Sequence, residues 1–309
     1  MEYRYNYLNN FLKEKFGERT LKICIDGGFT CPNRDGKVGI GGCIFCSENG
    51  SGDHLSKCSI EEQVRIYLNS ERSKRAGKYI AYFQNYTNTY GAVEILKSKY
   101  DSALIDDRIV ALAIATRPDE LDDEKIKLIK SYKENYYVWV ELGLQTINNK
   151  TISTINRCYK NEEFDIICEK LNKENIDIVI HIMVGLPGEN HDDIKNIVNY
   201  LNKKSIKGIK IHSTYIVRNT ALENMYNNGI YKPISYENYM NELVYIITHL
   251  RKDIIIHRFT GDPPKDIFIA PKWTLHKKWV INGLDRVLKE KNFYQGIFYE
   301  GKNWQNPLC

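Results

Sequence analysis

The sequence predicts an α/β protein: an open partial (β/α)6 barrel carrying a C-terminal α/β extension. Two observations predict it. Six short β-branched or apolar runs alternate with longer segments whose apolar residues recur three and four positions apart, the pattern of repeated βα units on a parallel sheet. Six units fall short of the eight of a closed barrel, so the sheet is expected to stay open, with its working end at the C-terminal ends of the strands by analogy with the full barrel.

The strands fall in order at 21–26 (LKICID), 78–84, 109–115, 136–142, 176–184 and 206–217. Helical segments lie near 59–76, 91–101, 121–134, 161–174 and 189–203. Asp119 or Asp122 can accept the orphan backbone N–H bonds that start the third helix. Beyond residue 220 the order changes to a helix at 235–250, a strand near 253–259 and a helix at 275–291. The expected organisation is a core over 1–220, including a glycine-rich loop at 27–54, and an extension over 221–309 packed on that core. No low-complexity linker divides them.

The chain has 309 residues, 42% of them hydrophobic and 27% charged, which excludes disorder and collagen-like repeats and allows a sizeable core. The N-terminal MEYRYNYLNNFLKEKFGERT has no apolar stretch of the kind an export signal needs, and no run of about 18 apolar residues occurs. A cytoplasmic protein with no membrane partner is therefore expected. The net charge of +5 is unevenly spread. Between Ile194 and Leu222 there are six basic residues and no acid, and between Lys265 and Lys302 eight basic residues against four acids. Such stretches suit a polyanionic partner or a solvated lysine-rich face.

Four of the eight cysteines lie between Cys24 and Cys46, and without an export signal metal or redox chemistry is a better reading than disulfides. Cys31, Cys43 and Cys46 occupy the loop after the first strand, which carries seven glycines from Gly27 to Gly50 and can wrap closely around a ligand. Spacing leaves two readings open. One is zinc with His54 as fourth ligand; the other is a [4Fe–4S] cluster on three cysteines with one iron open to a further ligand. Cys158 and Cys168 lack ligand spacing, so no second cluster is expected.

Cys43-Ile44-Phe45-Cys46 resembles the end of the radical S-adenosylmethionine (radical SAM) cluster motif. The longer stretch DGGFTCPNRDG…GGCIFCSENGSGD resembles the YhcC-like branch of that superfamily, related to the Elongator catalytic subunit and to coproporphyrinogen dehydrogenase. The likeness continues in order through YFQNYTNTY, ATRPD, VELGLQT, INR, HIMVGLPGE, KIHSTYIV, HRFTGDPP, APKW and YQG, nearly the whole chain. It implies a partial barrel of radical SAM type, a [4Fe–4S] cluster on Cys31, Cys43 and Cys46, and S-adenosylmethionine (SAM) bound at the open iron. One-electron reduction, by a donor such as flavodoxin or ferredoxin, would then release a 5′-deoxyadenosyl radical.

By the same resemblance Phe45 lies against the adenine, and the backbone near Gly185 approaches it. Gln84, Asn85, Thr87 and Asn88 replace the usual glycine-rich SAM segment. Glu141 and Gln145 resemble ribose-side residues, and Arg157 is placed to meet the SAM carboxylate, a task suited to a bidentate guanidinium. Relatives commonly carry Gly-His after the Asn-Arg pair, where this chain has Cys158 and Tyr159. The branch looks like proteins of tRNA wobble-uridine modification, which implies a tRNA partner and conversion of 5-carboxymethylaminomethyl(thio)uridine to the 5-aminomethyl form. A tetrapyrrole or other small-molecule substrate is the alternative. A non-catalytic zinc- or Fe–S-containing RNA-binding protein is the reading from another class.

Several residues keep two readings. His181, between Ile180 and Ile182, is a buried hydrogen-bonded histidine or a pocket residue. Lys210 and His212 share one face of the last core strand and approach a substrate or face the surface. Tyr86 and Tyr90 stack on a base or cover the barrel mouth. Gly185 to Glu189 is a strand-to-helix turn, with Glu189 expected in the helix's first turn.

Overall fold

The structure, a computed structural model, describes residues 3–48, 50 and 58–300. Strands β1 (Thr20–Ile25), β2 (Lys78–Phe83), β3 (Ile109–Thr116), β4 (Tyr137–Gln145), β5 (Asp177–Val184) and β6 (Gly208–Ser213) follow one another in a single sheet, each parallel to the last. The chain then leaves the sheet as β7 (Ile216–Val217), returns as β8 (Ile255–Arg258) parallel to β6, and pairs β9 (Phe268–Ala270) antiparallel with β7. The helices are α1 (Leu8–Phe16), α2 (Ile60–Leu68), α3 (Val93–Asp101), α4 (Asp123–Ser131), α5 (Asn149–Thr154), α6 (Asn161–Lys173), α7 (His191–Asn202), α8 (Ala221–Asn227), α9 (Tyr236–His249) and α10 (Lys277–Glu290).

All six expected strands form, and the sheet is a curled half-barrel of the radical SAM shape. It has seven strands, because the strand expected within the C-terminal extension joins the core sheet beside β6. The Ile254-Ile255-Ile256 run is short and separated from β6 by α9, which packs on α7 and α10 as the crossover helix. The expected strand 206–217 ends at Ser213, and the ribbon strand β7 follows it. Asp122, not Asp119, caps α4, accepting from Lys125 N at 2.9 Å; Asp119 is held by Arg117 instead.

Period-two alternation divides the strands between two cores. Ile23, Phe83, Ile114, Val140, Ile180 and Ile211 face the helices. Ile80, Ala111, Ala113, Trp139, Val179 and Ile255 face the barrel interior, where Leu8 and Leu12 of α1 meet them. α1 touches both edge strands, β1 and β8, and so spans the gap that six connections leave open. Just before it, Asn6 O accepts a bond from Ile256 N at 2.7 Å. Leu12 is fully buried, and cutting it to Ala removes about 2–5 kcal/mol of packing at that closure. No helix among the described residues is long and apolar enough to cross a membrane.

Candidate active site

Partway along the strands the inward positions turn from apolar to polar. Glu141, in the middle of β4, is fully buried and stands at the hub. Its Oε1 accepts bonds from Lys22 Nζ at 3.1 Å and Trp139 Nε1 at 3.0 Å. Its Oε2 accepts from His181 Nε2 at 2.9 Å and from Lys210 Nζ, which also reaches Tyr82 OH at 2.7 Å. Burial acts to raise the Glu141 carboxyl, but Lys210, Lys22 and His181 outweigh it and hold the carboxylate well below its usual range. Burial, reinforced by Lys210, pulls His181 down to about 4, and burial holds His212 and His257 well below the usual value. All three imidazoles are neutral near pH 7. His212 Nε2 and His257 Nδ1 are buried with no hydrogen-bond partner among the described residues.

Above this ring, the loop after β1 brings Cys31, Cys43 and Cys46 to the wall of one cavity of about 690 Å³, which also reaches Glu141 and Lys210. Asn33 organises the loop: its O accepts from Gly42 N at 2.8 Å, and its Nδ2 bonds Asn156 O at 2.6 Å and Cys43 Sγ at 3.7 Å. A side chain at Gly39 would place Cβ 2.1 Å from Asn33 Oδ1, so glycine is required there. Arg34 Nη2 donates to Cys46 O at 2.8 Å. Among the described residues no three Cys, His, Asp or Glu side chains converge on a single metal-ion position. None of the three cysteines is in a disulfide, and all three share this wall. His54 lies outside the described residues.

Residues 31–201 match the family described as the radical SAM superfamily, and residues 206–290 the Radical_SAM C-terminal domain. The chain belongs to the radical SAM superfamily. It is 37% identical to YtqA of Bacillus subtilis over 99% of this chain and 96% of that protein. It is 32% identical to YhcC of Escherichia coli (strain K12), over 98% and 97% respectively. A shorter stretch, 52% of this chain and 30% of the relative, is 27% identical to a tRNA uridine(34) acetyltransferase of Methanocaldococcus jannaschii. Elp3 of Methanocaldococcus infernus shares the fold, with a TM-score of 0.68 at 17% identity over 89% of this chain and 64% of that one. Radical SAM proteins use a [4Fe–4S] cluster and S-adenosylmethionine, which together supply hydrogen-atom abstraction. Cys31, Cys43 and Cys46 would hold the cluster. The Cys43 thiol is pushed up to about 12 chiefly by burial, so cluster binding there must displace a proton.

Against this radical SAM frame, Phe45, Gln84, Thr87, Glu141, Gln145 and Arg157 line the same cavity as the three cysteines. Thr87 Oγ1 is buried without a partner among the described residues. Asn85 and Asn88 are fully buried behind the wall, where Asn88 Nδ2 donates to Ala115 O at 2.7 Å. Gly185 lines a different cavity, of about 640 Å³, and its carbonyl accepts from Tyr231 OH at 2.7 Å.

Arg157 lines the cavity with its guanidinium engaged by protein acceptors. Its Nε bonds Tyr159 O, Nη1 bonds Leu144 O and Thr146 O, and Nη2 bonds Tyr159 O and Asn161 Oδ1, at 2.7–3.1 Å. All five N–H groups are taken. Asn156 and Cys158, both left-handed with φ of 54° and 62°, turn the loop so that the guanidinium enters this nest of carbonyls. Glu141 likewise has its acceptor positions filled by protein donors.

Tyr159 donates to Gly143 O and to Gln145 Oε1 at 3.1 Å. It fixes Gln145, itself left-handed at φ 58°. Cys158 is exposed and bonds Asn156 Oδ1 at 3.2 Å. Tyr86 lines the cavity, and Tyr90 does not. Glu189 precedes the α7 cap Asn190 and bonds Thr146, with burial raising its carboxyl to about 7. Sequence reasoning missed Lys22, Tyr82, His257 and Arg258 as cavity residues. The signal available for Lys22 and Tyr82 was a polar group at an inward position of an apolar strand.

Proposed function

We propose that this radical SAM enzyme acts on tRNA at a wobble uridine, converting 5-carboxymethylaminomethyl(thio)uridine to 5-aminomethyl(thio)uridine, with a one-electron donor of the flavodoxin or ferredoxin type. The observation that carries the reading is the charge of the cavity. Lys22, Lys210, Arg258 and Lys277 face it against Glu141 and Asp262, in the same space as the three cysteines. An anionic hydrogen-atom donor suits such a space, and the proposed side chain is an N-substituted glycine bearing a carboxylate. Its α-methylene is activated by nitrogen on one side and carboxylate on the other. The 5′-deoxyadenosyl radical would take one hydrogen atom there, and the resulting carbon radical would pass a second electron to a one-electron acceptor (the oxidised cluster or the electron carrier). Addition of water to the imine so formed would release glyoxylate and leave the aminomethyl group. The partial likeness to a tRNA uridine(34) acetyltransferase supports the choice of nucleoside.

Mass spectrometry of tRNA nucleosides from cells with and without the gene tests this. The 5-carboxymethylaminomethyl form should accumulate, and the 5-aminomethyl form disappear, when the gene is deleted. An unchanged nucleoside profile would reject the reading.

A further inference from the structure

The pairing of β6 with β8 contains one irregularity: Ile209 is opposite Ile256, and Lys210 is opposite Arg258. His257 is the extra residue, and the bulge brings Arg258 to the face that Lys210 occupies. Lys210 points into the barrel, and Arg258 lines the same cavity. The Arg258 guanidinium makes no hydrogen bond or ion pair with any described residue. Lys210 and Lys277 are its cationic neighbours. Of the acids in the cavity, Glu141 is saturated by its four donors, and Asp262 stands 3.7 Å from Lys277. A bulge has thus turned a guanidinium, with its fork of donors, into a cavity whose other charged groups are mostly like it.

We propose that Arg258, with Lys277 beside it, binds the carboxylate of the substrate's N-substituted glycine side chain; this rests on the substrate reading above. A guanidinium matches a carboxylate bidentately, and the carbon next to that carboxylate is the one from which hydrogen is removed. Anchoring one fixes the other. The product has lost its carboxylate and keeps an ammonium, which a cationic wall repels, so the same residues favour product release.

The test uses cluster-loaded protein with SAM and no reductant, so that nothing turns over. Two anticodon stem-loops of one sequence are compared, one with the carboxymethylaminomethyl group and one with the aminomethyl group. Wild-type protein should prefer the first. Arg258→Gln should weaken its binding roughly 10- to 150-fold while leaving the aminomethyl RNA and SAM within about twofold, and Arg258→Lys should recover part of the loss. Lys277→Gln, at the half-exposed start of α10, provides a second variant if Arg258→Gln does not fold. Equal discrimination by wild type and both Gln variants would overturn the assignment while leaving the substrate reading intact. Equal weakening of both RNAs would make Arg258 a phosphate contact, and weakened SAM binding would make it a cofactor contact; either overturns the proposal. Wild-type protein that binds both RNAs alike, and with reductant leaves the carboxymethyl group in place, would reject the substrate reading and the proposal together.

Discussion

Glu141 and His181, on neighbouring parallel strands, meet inside the half-barrel with Oε2 and Nε2 2.9 Å apart. Lys22 and Lys210 complete the ring around the carboxylate. Glu141→Gln keeps the shape and removes the carboxylate that balances the ammonium groups of Lys22 and Lys210. Breaking a buried pair from one side costs about 3–5 kcal/mol. Urea unfolding should show that loss. A difference below about 1 kcal/mol, the range of exposed pairs, would mean that the ring is solvated.

The same ring makes stability depend on pH. Folding lowers the affinity of His181, His212 and His257 for protons, chiefly by burial. The unfolded chain takes up these protons near pH 6.5 while the folded chain does not, so stability falls as pH drops from about 7. The slope approaches ~1.4 kcal/mol per pH unit per histidine and, for His181, levels off near its folded value of about 4. Glu141 acts in the same direction at lower pH. Its contribution is complete above about 4.3 and is lost as pH falls through its depressed folded value. Unfolding free energies at pH 7.5, 6 and 5 should decline for wild type and decline less for the His212→Gln, His257→Gln double variant. Parallel slopes would exclude these two histidines as the source.

The half-barrel was legible because alternation of period two and periods of three to four residues are local properties of the chain. The ring was legible only in pieces. Glu141, His181 and Lys210 stand out as polar residues in apolar strands, but the curl that brings β1, β4, β5 and β6 around one carboxylate has no local signature. Arg258 was hidden by its bulge, since alternation counted from Ile255 sends His257 inward and Arg258 outward. The carbonyl partners of Arg157 were hidden for a related reason: the resemblance offers a guanidinium for the SAM carboxylate, but the two left-handed residues that turn it toward carbonyls have no local signature.

Loss of any one of Cys31, Cys43 or Cys46 should abolish the cluster. Anaerobically reconstituted wild-type protein should bind about four iron and four sulfide per chain. Alanine at each of the three positions should remove the visible absorption, while Cys158→Ser, at an exposed thiol, should retain it. Stoichiometric zinc persisting through iron reconstitution would restore the alternative that the spacing left open.

Arg157→Ala should act on folding before it acts on SAM. The substitution strands the carbonyls of Leu144, Thr146 and Tyr159 in a buried site, at about 1–3 kcal/mol for each unsatisfied group. A lowered melting temperature in cluster-free protein is the expected result. Unchanged melting with weakened SAM binding would instead show that the guanidinium leaves its carbonyls to meet the cofactor.

The two basic stretches should differ in their effect on tRNA. In the first, Lys204 is paired with Asp165 at 2.6 Å, Lys207 lies over Phe11 at 5.1 Å, and Lys210 is buried against Glu141. Lys203, Lys204 and Lys207 lie between the end of α7 and the start of β6, at the N-terminal ends of the strands, opposite the cysteine loop. The start of the second stretch, Lys265 to Lys278, lies at the mouth, because the β7–β9 ribbon continues from the C-terminal end of β6 and Lys277 lines the cavity. There Lys272 and Lys278 are exposed. Trp279, 56% exposed, stacks on His276 at 4.0 Å, a ready platform for a base. Lys272→Glu with Lys278→Glu should therefore weaken tRNA binding and lower the slope of log affinity against log salt by about 2, roughly one per lysine removed from a phosphate. Lys203→Glu with Lys207→Glu should leave both quantities close to wild type. The reverse outcome would place the RNA at the other end of the barrel, out of reach of the cysteine loop, and equal effects from both pairs would reduce the contact to net charge alone.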